Sequence, residues 1–576
     1  ATFNVTKTAD TNDGACNADC SVREAVVAAN AAAGADLINL PAGTYTLTIS
    51  GIDEDSSATG DLDIRDAITI TGAGAGSTII QAGTNTTNGI DKVFSINPTF
   101  SSPFATSFTG FTIQFGRNQS SFGSGVGFGG GFDWEASGTG TLTITGVTVT
   151  SNRTLDGDGG GIAATSFPPA NAFISLTNST VSNNDPDIVA PAQGPIGGGI
   201  YVGSGLTFRL TGTTVTGNNV VESSNLGRGG GIFSYQPASS AGKSFLNNST
   251  VTSNIAPSNG GGIYTDQPLD ISLTSINNNT SNSGSGGGIY DFHPAGGTTV
   301  INKATMTGNS AASGGAVLLG FNSLTSVLNM SFSRITGNTA TVRSGVGVAG
   351  GTGILENNWW GCNNGPTAME CNGAGTIGGG AADFDPWLQL RLTAASTNLV
   401  VGQTTGLTAS FLTNSAGAPV AAGNLDVLIG RSVSWNASGG TISGQQTTIQ
   451  SNGQATANFT GTAASPPTRT ATAQVENGPA TVNFTIDKAD TTTTITGESK
   501  DPTAEGEPFT VFFSVTINAP GGGTPTGMVT VSDGVDSCSA PVAAGQCSLA
   551  LTTVGDRTLT ASYEGNANFN GSLSAG

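Results

Sequence analysis

The chain has 576 residues, of which only 10% are charged and 87 are glycine, and its formal net charge is −20. An apolar share of 36% is too high for a disordered low-complexity chain, while 18 lysines and arginines are too few for a basic groove that tracks a phosphate backbone. No apolar run reaches the roughly 18 residues of a membrane-spanning helix, so nucleic acid and a transmembrane segment are both excluded as expectations.

In chain order, the first element is an alternating stretch, "TFNVTKT" at 2–8. It reads either as the first strand of a larger sheet or as a strand donated to a neighbouring molecule. "CSVREAVVAANAAAG" at 20–34 is the one clear helix signal: Ser21 and Glu24 form a capping box, Val22, Ala25, Val26 and Ala29 share a face, and Gly34 stops the helix. Arg23 and Glu24 could be imagined as catalytic groups. A capping role on a polar helix face is the simpler reading. The densest acidic stretch follows, "GIDEDSSATGDLDIRD", and Asp53, Glu54, Asp55, Asp61 and Asp63 together would suit the six to eight oxygen ligands of calcium. The spacing matches no EF-hand loop, and solvated loop carboxylates are the plain alternative.

From residue 129 the chain repeats itself. "GGGF" at 129 returns as "GGGI" at 159, "GGGIY" at 197, "GGGIF" at 229 and "GGGIY" at 260 and 286, then decays to "GGAV" at 314. Between these phrases an aliphatic residue is followed five positions later by another and three later by asparagine. The asparagines are Asn152, Asn184, Asn218, Asn254, Asn279, Asn309 and Asn338. In "LTITGVTVTSN" the alternation Leu142, Ile144 slips phase at Gly146 and resumes at Val147, Val149, so two short strands meet at a corner. Such a unit is one turn of a parallel β-helix, and its asparagine returns to one corner, where stacked carboxamides can bond along the ladder. The glycines suit positive φ or close approach of successive coils. No P-loop lysine follows them.

After the last coil come Trp359 and Trp360, which either cover the open coil end or stack on sugar rings. Six cysteines fall in local pairs, Cys16 with Cys20, Cys362 with Cys371 and Cys538 with Cys547, the pattern of short disulfides in an oxidising compartment. The sequence opens at Ala1 without a leader, which we read as the mature form of a secreted protein. Residues 387–487 and 488–576 read as two Ig-like sandwiches of short alternating strands. The second stops at "GSLSAG", so its final strand is expected to be missing and its edge open to a neighbour.

The stretch "TFNVTKTADTNDGACNADCSVREAVVAANAAAGADLINLPAGTYTL" is similar to the domain named for its Cys-Ser-Leu-Arg-Glu-Ala motif, found in bacterial secreted parallel β-helix proteins, with Val22 in place of the usual leucine. "GDLDI", "GAGAGSTII" and "NNWWGCNNGP" resemble further phrases of that family, and the segments beyond 388 resemble bacterial Ig-like domains. The resemblance implies a right-handed parallel β-helix over 1–386, with an N-terminal cap over about 1–40, on a secreted or cell-surface protein without assigned activity.

For an enzyme on this scaffold, a glycosidase would need two carboxylates across the scissile bond. The candidate pairs are Asp156 with Asp158, Asp185 with Asp187, and Asp133 with Glu135, all in loops where aspartate is common for turn reasons. The solenoid is poor in the lysine or arginine a lyase base requires. The expectation is a non-enzymatic, extracellular structural or adhesive protein without a cofactor other than the suggested calcium. It would self-associate head to tail or bind a surface carbohydrate; a polysaccharide-active enzyme is the competing class.

Overall fold

The computed structural model describes residues 1–52, 54–100, 102–119, 128–155, 157–166, 171–187, 196–203, 205–220, 226–235, 242–294, 296–320 and 325–576, with the side chain of Asp187 excepted. The chain divides into two compact units: residues 1–388 with 414–418 and 424–427, and residues 389–413, 419–423 and 428–576.

The first unit is a parallel β-solenoid. Its coils stack into three long sheets of 13, 10 and 11 strands, here called sheets 1, 2 and 3, with short three- and four-stranded sheets beside them. One coil shows the pattern. Thr141–Thr145 lies in sheet 1, Thr148–Thr150 in sheet 2 and Ile162–Ser166 in sheet 3, and Phe173–Thr177 begins the next coil directly on Thr141–Thr145. The phase slip at Gly146 is the corner between sheets 1 and 2. The glycine phrase, read from sequence as the third segment, leads into the strands of sheet 3.

The inward residues of each strand build a continuous core. Ile144, Leu176, Leu210, Leu246, Ile271, Ile301 and Met330 stand in register in sheet 1, and Val149, Val181, Val215, Val251, Ile276, Met306 and Ile335 in sheet 2, all at most 2% exposed.

The asparagine ladder forms as expected. Each buried carboxamide accepts from the backbone and side-chain nitrogens of the asparagine one coil before, and donates to the next Asn Oδ1 and to a carbonyl of the previous coil; for Asn218 all four distances are 3.0 to 3.1 Å. The series runs from Asn152 to Asn338 and continues onto Asn372. A second ladder, of hydroxyls, fills the corner between sheets 1 and 2, where Ser179, Thr213, Ser249 and Thr274 each accept from the backbone amide one coil before.

The glycines serve the asparagine corner. Gly260 has φ +71°, and a Cβ on Gly262 would stand 2.7 Å from the Gly288 carbonyl oxygen and 3.0 Å from Cγ of Asn279, so the ladder and the glycine fit one space.

The N-terminal helix spans Val22–Ala31 with Ser21 as N-cap and the full capping box, and its apolar face is buried against the first coils. Cys16 is joined to Cys20, Cys362 to Cys371 and Cys538 to Cys547. Thr2–Asn4 pairs with Asp36–Leu40 as the first strand of sheet 1, and Val5 is buried; of the two expectations for this stretch, the donated strand is corrected.

The second unit holds two sandwiches. One has two four-stranded sheets built from Arg391–Ala394 to Gly478–Asp487; the other packs three strands, Thr491–Glu498, Phe509–Ile517 and Gln546–Leu549, on four that end at Ser572–Leu573. That last two-residue strand pairs with Thr560–Tyr563, so the edge expected to lack a strand carries a short one. Beside it lies an open cleft of about 960 Å³ lined by Ile495, Phe509, Leu551, Leu559 and Leu573.

Candidate functional site

The outward rank of sheet 3 concentrates the chemistry of the solenoid. Strand alternation places Asp63, Ser95 and Asp133 in one outward column on three successive coils. Lys92 enters between them, its Nζ 3.3 Å from Asp133 Oδ2 and 3.7 Å from Asp61 Oδ2, while Asp91 Oδ1 accepts the Lys92 amide at 2.8 Å. Glu135 follows two residues after Asp133, on the same face of the strand. All six ionisable groups, Asp61, Asp63, Asp91, Lys92, Asp133 and Glu135, are at most 6% exposed.

Five buried carboxylates around one ammonium cannot all be ionised at tolerable cost. Burial lowers the tendency of Lys92 to hold its proton, but Asp133, Asp61 and Asp91 outweigh it and raise its pKa. Burial pushes Asp61 well up against the opposing pull of Lys92. It brings Asp63 to about 7 despite the Ser57 amide, and Glu135 to about 9, with repulsion from Asp133 adding to burial. Asp63 Oδ1, Asp133 Oδ1 and Glu135 Oε2 accept no hydrogen bond among the described residues. Burial thus holds Asp61, Asp63, Asp133 and Glu135 above the usual carboxylate range.

Asp53 of the suggested calcium set lies outside the described residues. Glu54 is taken up by Ser56 and Thr59, Asp55 faces solvent, and Asp61 and Asp63 are buried beside Lys92. Among the described residues no three acidic, histidine or cysteine side chains are placed to hold a metal ion. Of the four described members, Asp61 and Asp63 are drawn to the Lys92 ammonium, while Glu54 is spent on its own loop.

Arg23 also departs from expectation. Its polar face is not a solvent-facing cap: the fully buried guanidinium clamps Asp10 at 2.8 and 3.1 Å and donates to the carbonyls of Ser57, Gly60 and Asp61. It thus fastens the helix to the loop that supplies the acidic cluster. Glu24 completes the capping box and also accepts from Thr11 and the Asp13 amide; burial opposes these bonds, which together with Lys7 hold its carboxyl below the usual range.

Farther along sheet 3 the same column turns aromatic. Tyr201, Phe233, Tyr264 and Tyr290 stack on successive coils with ring centroids 6.0, 4.7 and 5.1 Å apart. Their faces cover one another, so the rank stiffens the coil stack and offers no open ring to a sugar. Beside it the single histidine, His293, is 3% exposed, 2.7 Å from Asp291 Oδ1 and 3.1 Å from Thr299 Oγ1.

The one candidate pair whose side chains are both described, Asp133 with Glu135, is buried and flanks no open cleft. Asp156 and the side chain of Asp187 lie outside what is described. Asp158 accepts the Ile196 amide at 3.1 Å and is pushed by burial to about 7, and Asp133 and Glu135 sit inside the lysine cluster. Trp359 and Trp360 are fully buried, which corrects the sugar-stacking reading, and Trp360 belongs to the solenoid core.

Sequence reasoning missed Lys92 and Asp91, which stand in "GIDKVF" with no pattern to mark them. The aromatic rank was written in the repeat, as the residue after each "GGGI" from 197 to 290.

The fold is a parallel β-solenoid followed by two β-sandwiches. Residues 495–576 match the family model described as bacterial Ig-like domain (group 3). No curated protein matches the chain. Among solved structures, the Yersinia pseudotuberculosis adhesin InvE is similar at 18% identity over 32% of this chain and 57% of its own, with a TM-score of 0.21. This chain thus spans little more than half of that relative. Invasin, a bacterial integrin-binding protein, is similar at 18% identity over 30% of this chain and 38% of its own, TM-score 0.16. The A-module of the Azotobacter vinelandii mannuronan C-5 epimerase AlgE6 is similar at 15% identity over 66% of this chain and 99% of its own, TM-score 0.30. TM-scores this low carry no inference about activity.

Proposed function

We propose that the protein is a non-enzymatic structural or adhesive component of a bacterial cell exterior. The observation that supports this reading is the union, in one chain, of a solenoid whose corner asparagines are spent on their own ladder and a module that matches a bacterial Ig-like family. Stacked coils with internally satisfied corners make a stiff scaffold, and Ig-like sandwiches serve as spacers. The finer form of the proposal is head-to-tail self-association into a filament or sheath, through a contact other than Thr2–Asn4, which is occupied in its own sheet.

The test is surface display of the full chain on bacteria, with antibody accessibility on intact cells and retention on host-cell and glycan-coated surfaces. Accessibility with retention supports the proposal. Turnover of a polysaccharide panel, read as new reducing ends or unsaturated uronates, would replace it with an enzymatic function.

A further inference from the structure

Over six coils, bounded by Gln114 on one side and Arg334 on the other, the outward face of sheet 2 keeps one chemistry. Six successive strands, Thr148–Thr150, Thr180–Ser182, Thr214–Thr216, Thr250–Thr252, Ser275–Asn277 and Thr305–Thr307, pair in register and bury their middle residue, with Ser182 the one outward residue that is buried too. Both outward positions of every strand are threonine, except Ser182, Ser275 and Asn277. In a chain of net charge −20, these two ranks carry no charge.

Solvent exposure alone does not explain this constancy. One outward rank of sheet 1, equally in register, reads Ser175, Arg209, Phe245, Asp270, Val300 and Asn329 and changes chemistry at each coil; its other rank, Thr145, Thr177, Thr211, Asn247, Ser272 and Asn302, is uncharged but mixes hydroxyls with carboxamides. Coil length varies elsewhere too: the corner between sheets 1 and 2 is two residues long in each of these six coils, while the connections on either side of sheet 3 take up the variation. Strand geometry then sets a flat mesh with repeats of about 4.8 Å across strands and about 6.6 Å along them, roughly 24 Å long over five strand spacings. Threonine is stiff at χ1, so its methyl and hydroxyl hold fixed places on that mesh. The hydroxyls of Thr148, Thr180, Thr214, Thr250 and Thr305 bond to no described residue.

From this we infer that the outward face of sheet 2 binds ice. The chemistry of the occupant follows from the face. A neutral, rigid grid of hydroxyls can take positions in a water lattice, the methyls between them favour caged first-shell water, and no charge pulls that water into radial hydration shells. A flexible or charged partner would gain nothing from a constant repeat.

The experiment is ice adsorption of the fluorescently labelled full chain, measured as the fraction incorporated into a slowly grown ice shell, together with inhibition of ice recrystallisation. The wild-type chain should enter the ice. Thr250→Lys should lower the incorporated fraction at least tenfold with an unchanged thermal melt, and Thr216→Tyr serves as a second variant should the lysine disturb folding. Asn329→Lys, on the exposed rank of sheet 1, should leave incorporation unchanged. Exclusion of the wild-type chain from ice would overturn the inference, as would equal loss with Asn329→Lys. So would adsorption to microcrystalline cellulose, another neutral hydroxyl lattice, in preference to ice.

Discussion

The side chain of Asn254 donates from Nδ2 to Oδ1 of Asn279 at 3.0 Å, although 25 residues separate them in the chain. The contact repeats at each coil of the ladder, so one carboxamide replaces the backbone partners that a sharp corner takes away.

Asn254→Leu should destabilise the solenoid by about 2–4 kcal/mol, since each orphaned buried group costs about 1–3 kcal/mol. The substitution removes the acceptor of the Asn218 amide and the donor to the Val215 carbonyl, both buried. Chemical denaturation of the full chain, followed through the solenoid transition, checks this. An unchanged midpoint would remove the ladder from the account of stability.

Gly262→Ala tests the other half of that fit. The new methyl would meet the Gly288 carbonyl oxygen at 2.7 Å, too close to be absorbed by a flexible side chain. Overpacking of this kind costs about 1–3 kcal/mol. Gly406→Ala, where a Cβ would meet no atom within 4 Å, is the control and should melt as the wild type does.

The fold was legible because a solenoid writes its geometry repeatedly. Phase slips such as Gly146, the spaced asparagines and the glycine phrase each state one corner, and seven statements of the same corner outweigh any one misreading. Cys16–Cys20 and the capping box of Ser21 and Glu24 were legible because their partners are neighbours in the chain. The acidic cluster was only half legible. Asp61 and Asp63 stand out in the sequence, but Lys92 and Asp133 come from later coils, and strand register, which no local pattern prints, decides that they meet. Arg23 was misread for the same reason: its partners are 13 to 38 residues away, and their position turns an apparently polar helix face into a buried clamp.

Lys92→Met should be severe at neutral pH and milder in acid. The ammonium is the charge that Asp61, Asp91 and Asp133 share, and removing one partner of a buried ion pair costs about 3–5 kcal/mol. In acid the carboxyls protonate and the missing charge matters less. Melting curves of wild type and variant at pH 7.5 and at pH 4.5, chosen as roughly neutral and acid settings around the usual carboxyl range, should converge toward the lower pH. Equal gaps at both would show that Lys92 acts through packing alone.

Wild-type stability should itself fall as pH rises. Asp63, pushed to about 7, faces Glu54, Asp55 and Lys92; Glu135, pushed to about 9, faces Asp133, Lys92 and Asp55. Both carboxyls hold protons in the folded state that the unfolded chain, with ordinary values near 4, releases. The stability they contribute is thus complete below about pH 4 and is lost as pH climbs through 7 for Asp63 and 9 for Glu135. Asp158 and Asp266, each brought to about 7 by burial, add to the decline in the same window. Glu24 acts oppositely. Its carboxyl is held below the usual range, so its contribution disappears only as pH falls below that range. Lys92, with its pKa raised, loses nothing until pH exceeds the ordinary lysine value. The solenoid transition should therefore be most stable in mild acid and weaken steadily toward pH 9, and Glu135→Gln, which cannot ionise, should flatten the upper part of that decline. A wild-type profile that is level from pH 5 to 9, the span between ordinary carboxyl titration and Glu135, would mean that these carboxylates ionise freely and that the cluster holds no protons.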